Sequence, residues 1–154
     1  MHNVHSKYFG VMPYEETSVL VFPEGLLGFE LEREFVPIRQ PSSEPMVFLQ
    51  SLSTQDLCFI ALPAQAACPN FPLQLSREDR VALGFPPNAT PQIGTDLLCL
   101  TIVSIEESGE VTANLLGPIV VNLRNRQARQ CIQTESEYSH RFPLRAEEGV
   151  AACS

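Results

Sequence analysis

The chain has 154 residues, 44% of them hydrophobic and 18% charged. That is enough apolar material for one packed domain, and it excludes disorder along the whole length. The net charge is −8 and Lys7 is the sole lysine, so the surface repels a phosphate backbone and direct nucleic-acid binding is excluded. Thirteen prolines exclude long helices, and no apolar run reaches the length of a membrane span.

Residues 1–6 read as a loose start. Residues 17–22 (TSVLVF) are β-branched and apolar and end at Pro23, the pattern of a strand. Residues 23–29 (PEGLLGF) follow as a tight turn, with Gly25 and Gly28 taking backbone angles other residues avoid. Leu26, Leu27 and Phe29 are expected to fold back on the core. Residues 35–38 form a short strand, and 40–45 a proline-bounded loop. Residues 46–52 (MVFLQSL) and 57–62 (LCFIAL) pair as a hairpin across a short link. Pro63 stops the second of these, and 64–72 reads as irregular.

Residues 76–84 (SREDRVALG) carry the helix signal: Ser76 as N-cap, Glu78 and Asp79 at the positive end, Gly84 as terminator. At about two turns the helix needs packing to persist. Residues 96–105 (DLLCLTIVSI) are the strongest strand, apolar on both faces at its start. Residues 106–109 turn it, 111–116 return, and Gly117-Pro118 breaks the ladder before 119–123 resumes it. Residues 127–133 (QARQCIQ) fit helix or strand locally, and their place after three strands favours strand. Residues 135–144 read as a polar turn and 145–154 as a disordered tail. The expected architecture is all-β: a small antiparallel β-barrel-like domain with one short helix, in a single domain over 1–144.

The acidic excess is uneven. Residues 1–123 hold fourteen acidic and five basic side chains, while 124–154 are nearly balanced. Such a surface steers a basic protein partner, or serves only solubility. Cys58, Cys68, Cys99, Cys131 and Cys153 are odd in number and lack a C-x-x-C pair, which argues against a disulfide framework and for a reducing cytoplasm. The opening residues lack the apolar core of a signal peptide.

Candidate chemistry is sparse. His2 and His5 have no nearby ligand partner, so no metal or other cofactor is expected. His140 lies in a polar turn with Ser136 and Ser139 and without a G-x-S-x-G elbow. Glu106 and Glu107 sit in a hairpin turn. Glu30, Glu32 and Glu34 are spaced by two, so on an extended segment they face one side, as solvated surface or as a contact patch for a basic partner. Asn114 and Asn122 lie in apolar surroundings and must find partners: they staple the turn near Gly117-Pro118, or they meet a binding partner directly.

Four blocks occur in order: residues 22–29 (FPEGLLGF), 48–51 (FLQS) ahead of Phe59, 113–122 (ANLLGPIVVN), and 128–130 (ARQ) with Tyr138 and Leu144. Together they resemble the FliW family of flagellar assembly factors, from about Phe22 to Leu144. The resemblance implies a small cytoplasmic β-barrel-like protein without enzymatic activity. It implies two protein partners: flagellin before export, and CsrA, an RNA-binding repressor of flagellin translation. Flagellin would occupy the factor when abundant and leave CsrA free to repress. Phe22, Pro23, Gly25, Gly28, Phe29, Gly117 and Pro118 are then structural motif residues, and Glu30, Glu32, Glu34, Asn114 and Asn122 the candidates for partner contact. A monomer without membrane attachment is expected. The competing readings are a generic β scaffold and a hydrolase using Glu or His140.

Overall fold

The structure is a computed structural model and describes residues 2–134 and 139–144. Among these residues the order is β1 (His2–Ser6), β2 (Gly10–Tyr14), β3 (Leu20–Val21), β4 (Glu34–Ile38), β5 (Val47–Ser51), β6 (Cys58–Pro63), α1 (Ala64–Ala67), α2 (Arg77–Ala82), β7 (Leu97–Ile105), β8 (Val111–Ala113), β9 (Ile119–Asn122), β10 (Ala128–Gln130) and β11 (Phe142–Pro143). The main sheet runs β10-β9-β7-β6-β5-β4-β3, with β8 on β7 and β11 on β8. Every pairing of named strands in it is antiparallel. The sheet curls until its ends approach. The Val21 amide donates to the Arg126 carbonyl at 3.0 Å, and Val21 bridges Gln127 in the parallel sense. The all-β, barrel-like expectation holds as a curled half-barrel.

Strand β7 is the axis of this curl, and its alternation explains why. Leu97 and Cys99 enter a core shared with α1, Leu83 and Phe71, while Leu100 enters a second core with Phe22, Phe35 and Leu49. A strand buried on both faces needs apolar residues in succession, which is what LLCL supplies. Neighbouring β9 repeats the pattern, with Val120 in the first core and Ile119 and Val121 in the second.

The break at Gly117-Pro118 is real and has a clear geometry. The second half of β7 pairs β8, with Val103 opposite Ala113, and the first half pairs β9, with Leu100 opposite Ile119. Residues 114–118 therefore stand opposite only 101–102. The excess chain leaves the ladder, and Asn114 and Thr101 hold it: the Asn114 Oδ1 accepts the Gly117 amide at 2.9 Å, and the Thr101 hydroxyl donates to the Asn114 carbonyl at 2.7 Å.

Helix α2 forms where expected. Ser76 and Asp79 make a reciprocal capping box, with Ser76 Oγ accepting the Asp79 amide at 3.0 Å. Gly84 ends the helix at φ +86°.

Several expectations need correction. The start expected to be loose over residues 1–6 instead forms, from His2, strand β1, which pairs with β2 as a hairpin. Ser6 Oγ accepts the Tyr8 and Phe9 amides, and the hairpin docks through Lys7 N to Gln55 O at 2.9 Å and Phe9 edge-on to Phe48. The strand expected over 17–22 shrinks to β3, because Glu16–Ser18 closes a 3-10 turn with the Ser18 hydroxyl on the Glu15 carbonyl. The segment after Pro63 is not wholly irregular: α1 makes one turn whose Ala64 and Ala67 pack on the core, so there are two short helices, not one. The return strand expected over 111–116 ends at Ala113. In place of a strand over 127–133, β10 spans only 128–130, although the Cys131 and Gln133 amides continue onto the Pro118 and Leu116 carbonyls. Cys68 is disulfide-bonded, although the cysteine pattern argued against a disulfide framework, while Cys58, Cys99 and Cys131 are free thiols. The expectations for 135–138 and for the tail 145–154 lie outside the described residues. Among the described residues no helix is long and apolar enough to cross a membrane.

Candidate partner-binding face

Residues 22–33 close the loop between β3 and β4, and hydrogen bonds fix their path. The Phe22 amide donates to the Arg33 carbonyl at 2.7 Å, and the Phe29 amide to the Leu26 carbonyl at 2.7 Å. Gly25 is required here: its φ is +67°, and a Cβ would sit 2.5 Å from the Glu30 carbonyl oxygen. The loop has inward anchors. Phe22 meets Phe35 edge-on, Leu26 is buried, and Phe29 meets the Phe59 ring at 5.2 Å. Its remaining apolar side chains point out. Leu27 is 68% exposed and Leu31 87%, and Phe29 keeps part of its ring in water. Only Leu26 folds fully back as expected, because a loop this tight has room beneath it for alternate side chains only.

The three glutamates do not line one side of a strand, since residues 30–31 turn. Glu30 and Glu34 are exposed. Glu32 is clamped to the β5–β6 link, its carboxylate accepting the Ser51 hydroxyl at 3.0 Å, the Ser53 hydroxyl at 2.5 Å and the Thr54 hydroxyl. The Ser53 and Thr54 hydroxyls hold its carboxyl below the ordinary range.

Strand β10 joins this loop to the rest. The Gln130 amide reaches both family-like blocks: its Oε1 accepts the Leu27 amide at 3.1 Å and its Nε2 donates to the Gly117 carbonyl at 3.1 Å. Gly117 leaves space for it, since a Cβ there would lie 3.0 Å from that nitrogen. Arg129 spans the other side. Its Nε donates to Asp79 Oδ1 at 2.9 Å, a second nitrogen pairs with Glu24, and a third lies 3.7 Å from Glu78. Asp79 is the sheltered partner, while Glu24 and Glu78 are exposed and contribute at most about 1 kcal/mol each.

Both asparagines are engaged inside the protein. Asn122 is 3% exposed; its Nδ2 donates to the Leu83 carbonyl at 2.8 Å and its Oδ1 accepts the Arg124 amide at 2.9 Å. Asn114 staples the 114–118 excursion. Pro118 lies buried in that excursion, and Pro23 opens the loop at the surface. His140 is exposed, and Glu106 in its turn lies 3.9 Å from Arg141. Burial pushes the Cys58 thiol up to about 11 and Cys99 up to about 12, and raises Cys131 further, so at neutral pH these three are inert. Among the described residues no group of three His, Cys, Asp or Glu could hold a metal.

Sequence reasoning missed Glu24, Glu78, Val81 and Ile132 as neighbours of the loop. Glu24 lies in the loop itself, Glu78 and Val81 on α2 and Ile132 just past β10, and these segments meet only in the folded chain. The sole signal was the ARQ block, which marked Arg129 and Gln130 without their partners.

Comparison with known proteins fits this geometry. The FliW protein family matches residues 3–144. The flagellar assembly factor FliW of Bacillus subtilis is 31% identical over 145 residues, covering 94% of this chain and 97% of that protein. The factor of Geotalea uraniireducens is 31% identical over 136 residues, 88% of this chain and 80% of its own length. The crystal structure of a flagellar assembly factor FliW superposes with a TM-score of 0.81 at 26% identity, over 96% of this chain and 99% of the other. This chain belongs to the FliW family of flagellar assembly factors.

Proposed function

We propose that the chain is a non-enzymatic cytoplasmic factor that binds flagellin and antagonises CsrA by protein–protein contact, relieving repression of flagellin synthesis. The observation that carries this is the loop 22–33. It offers Leu27, Phe29 and Leu31 to solvent on a backbone already fixed by its own hydrogen bonds. Apolar side chains held out on a rigid support bind with little ordering cost. Glu24, Glu30 and Glu34 fringe them, and the net charge of −8 steers a basic partner such as an RNA-binding protein. Glu30 and Glu34 are proposed as contact residues. Glu32, Asn114 and Asn122 act by holding the contact surface in shape, with the motif residues Phe22, Gly25 and Gly117 beneath it.

The test is a titration of the purified chain into CsrA bound to labelled flagellin leader RNA, with and without flagellin. The expected result is RNA release that weakens as salt rises and reverses when flagellin is added. Retention of the RNA, with no binding of flagellin, contradicts the proposal.

A further inference from the structure

Two grooves flank β10. One, of ≈ 400 Å³, lies between residues 23–30 and α2, with Leu26, Leu27, Ala82 and Ala128 in its walls. The other, of ≈ 540 Å³, lies between the start of α2 and residues 130–134, with Leu75 and Ile132. Arg129 and Gln130 line both, so the two are halves of one trough crossed by those two side chains. Leu27 and Ile132 are exposed beside it, one toward each half, and Val81 is exposed on α2.

The charge of the trough is one-sided. Glu24, Glu30, Glu78 and Asp79 line it, and its one basic side chain, Arg129, is paired with Asp79. Two other grooves on the molecule are balanced, Asp96 against Arg124 in one and Glu15 against Arg39 in the other. A channel with aliphatic side chains in its walls, mainly in the half beside residues 23–30, and with surplus carboxylates fits a polypeptide that is aliphatic on one side and cationic on the other.

We propose that this trough seats a cationic amphipathic segment of a protein partner, with aliphatic side chains entering beside Leu27 and Ile132 and Lys or Arg heads meeting Glu24, Glu30 and Glu78. It rests on the reading of the chain as a protein-binding factor and names the chemistry of the segment bound. The bar across the trough is built to open. Glu24 and Glu78 are 69% and 83% exposed, so their pairs with Arg129 are weak and exchange at little cost. When a partner cation takes those carboxylates, Asp79 still holds Arg129, and no charge is left unpaired.

The probe is a synthetic leucine–lysine peptide patterned at helical spacing, titrated into the 15N-labelled chain and followed by amide shifts. A leucine–glutamate peptide of the same pattern is the control. The expected result is shifts gathered at Leu27, Ala82, Arg129, Gln130 and Ile132, with none from the control. The exposed pair Glu30→Gln/Glu78→Gln weakens binding roughly 3- to 10-fold at low salt and leaves the other amides in place. Glu106→Gln/Glu107→Gln leaves it unchanged. Shifts scattered over residues 15–16 and 106–110, or equal response to the anionic peptide, overturn the proposal. So do trough shifts that follow protein concentration alone, which would mean a second copy sits there. Flagellin or CsrA binding by a chain whose trough takes no cationic peptide removes this inference alone. Peptide binding by a chain that takes neither protein removes the proposed function alone.

Discussion

Residues 22–31 and 113–122 both interrupt strands with glycine-bearing turns, yet they send their side chains opposite ways. The later block buries nearly everything: Leu115, Ile119, Val120 and Val121 have no exposure, and Asn122 is consumed by backbone partners. The earlier block anchors Phe22 and Leu26 and leaves Leu27 and Leu31 in water. The difference comes from location. Residues 119–122 form an interior strand, paired with β10 on one side and β7 on the other and with a core on each face, whereas 22–31 is a loop at the rim of the sheet with a core on one face only. Similar motif strength therefore marks two jobs, building and contact, and Gln130 ties one to the other.

The comparison breaks first at the core. Ile119→Ala should cost about 2–5 kcal/mol, seen as a midpoint shift in urea, because it opens a cavity between β9 and its neighbours. Leu31→Ala should change stability by no more than about 0.5 kcal/mol. Equal losses from the two would erase the distinction. Asn122→Ala sharpens it at intermediate size. The Arg124 amide loses its acceptor and the Leu83 carbonyl keeps only Asn125, so a loss of about 1–3 kcal/mol is expected in the same assay. Gln130→Ala should leave the fold standing, but free the Leu27 amide and the Gly117 carbonyl. Hydrogen exchange should then quicken at Leu27 and in 114–118 together, and unchanged exchange at either site would show that the blocks are not coupled.

A smaller, pH-dependent effect than those at Ile119 and Asn122 belongs to Glu32. Its folded pKa is depressed, so its contribution is present above the ordinary value of 4.5 and is lost as pH falls through the folded value. Glu32→Gln should be less stable than the natural chain at pH 7, by under about 1 kcal/mol given solvent screening, and the two should converge in acid. A gap that persists in acid would point to packing, not charge.

Much of the building half was legible beforehand. The succession LLCL in β7, the Ser76 cap and the Gly117-Pro118 break each leave a local mark, because each is fixed by neighbours in sequence. The contact half was legible only in part. Leu27, Phe29 and Leu31 look like core residues in composition, and nothing local says that the loop has space beneath for only some of them. Glu30, Glu32 and Glu34 look like one acidic stripe, and it takes the turn at 30–31 and the hydroxyls of Ser51, Ser53 and Thr54 to separate them. The trough beside β10 depends on α2, the 22–33 loop and residues 128–132 meeting in space, which spacing along the chain does not encode. The opening strand was misread because β1 (HNVHS) is short and polar, and its order comes from pairing with β2 and from the hairpin docking on Phe48 and Gln55.

The measurement that bears most directly on the division is the affinity of Leu27→Ser/Leu31→Ser for purified flagellin, taken on a sample whose melting curve is recorded alongside. A melting point near that of the natural chain with binding reduced at least about tenfold is the predicted result. Unchanged binding by that stable variant would contradict the assignment of contact to residues 22–33.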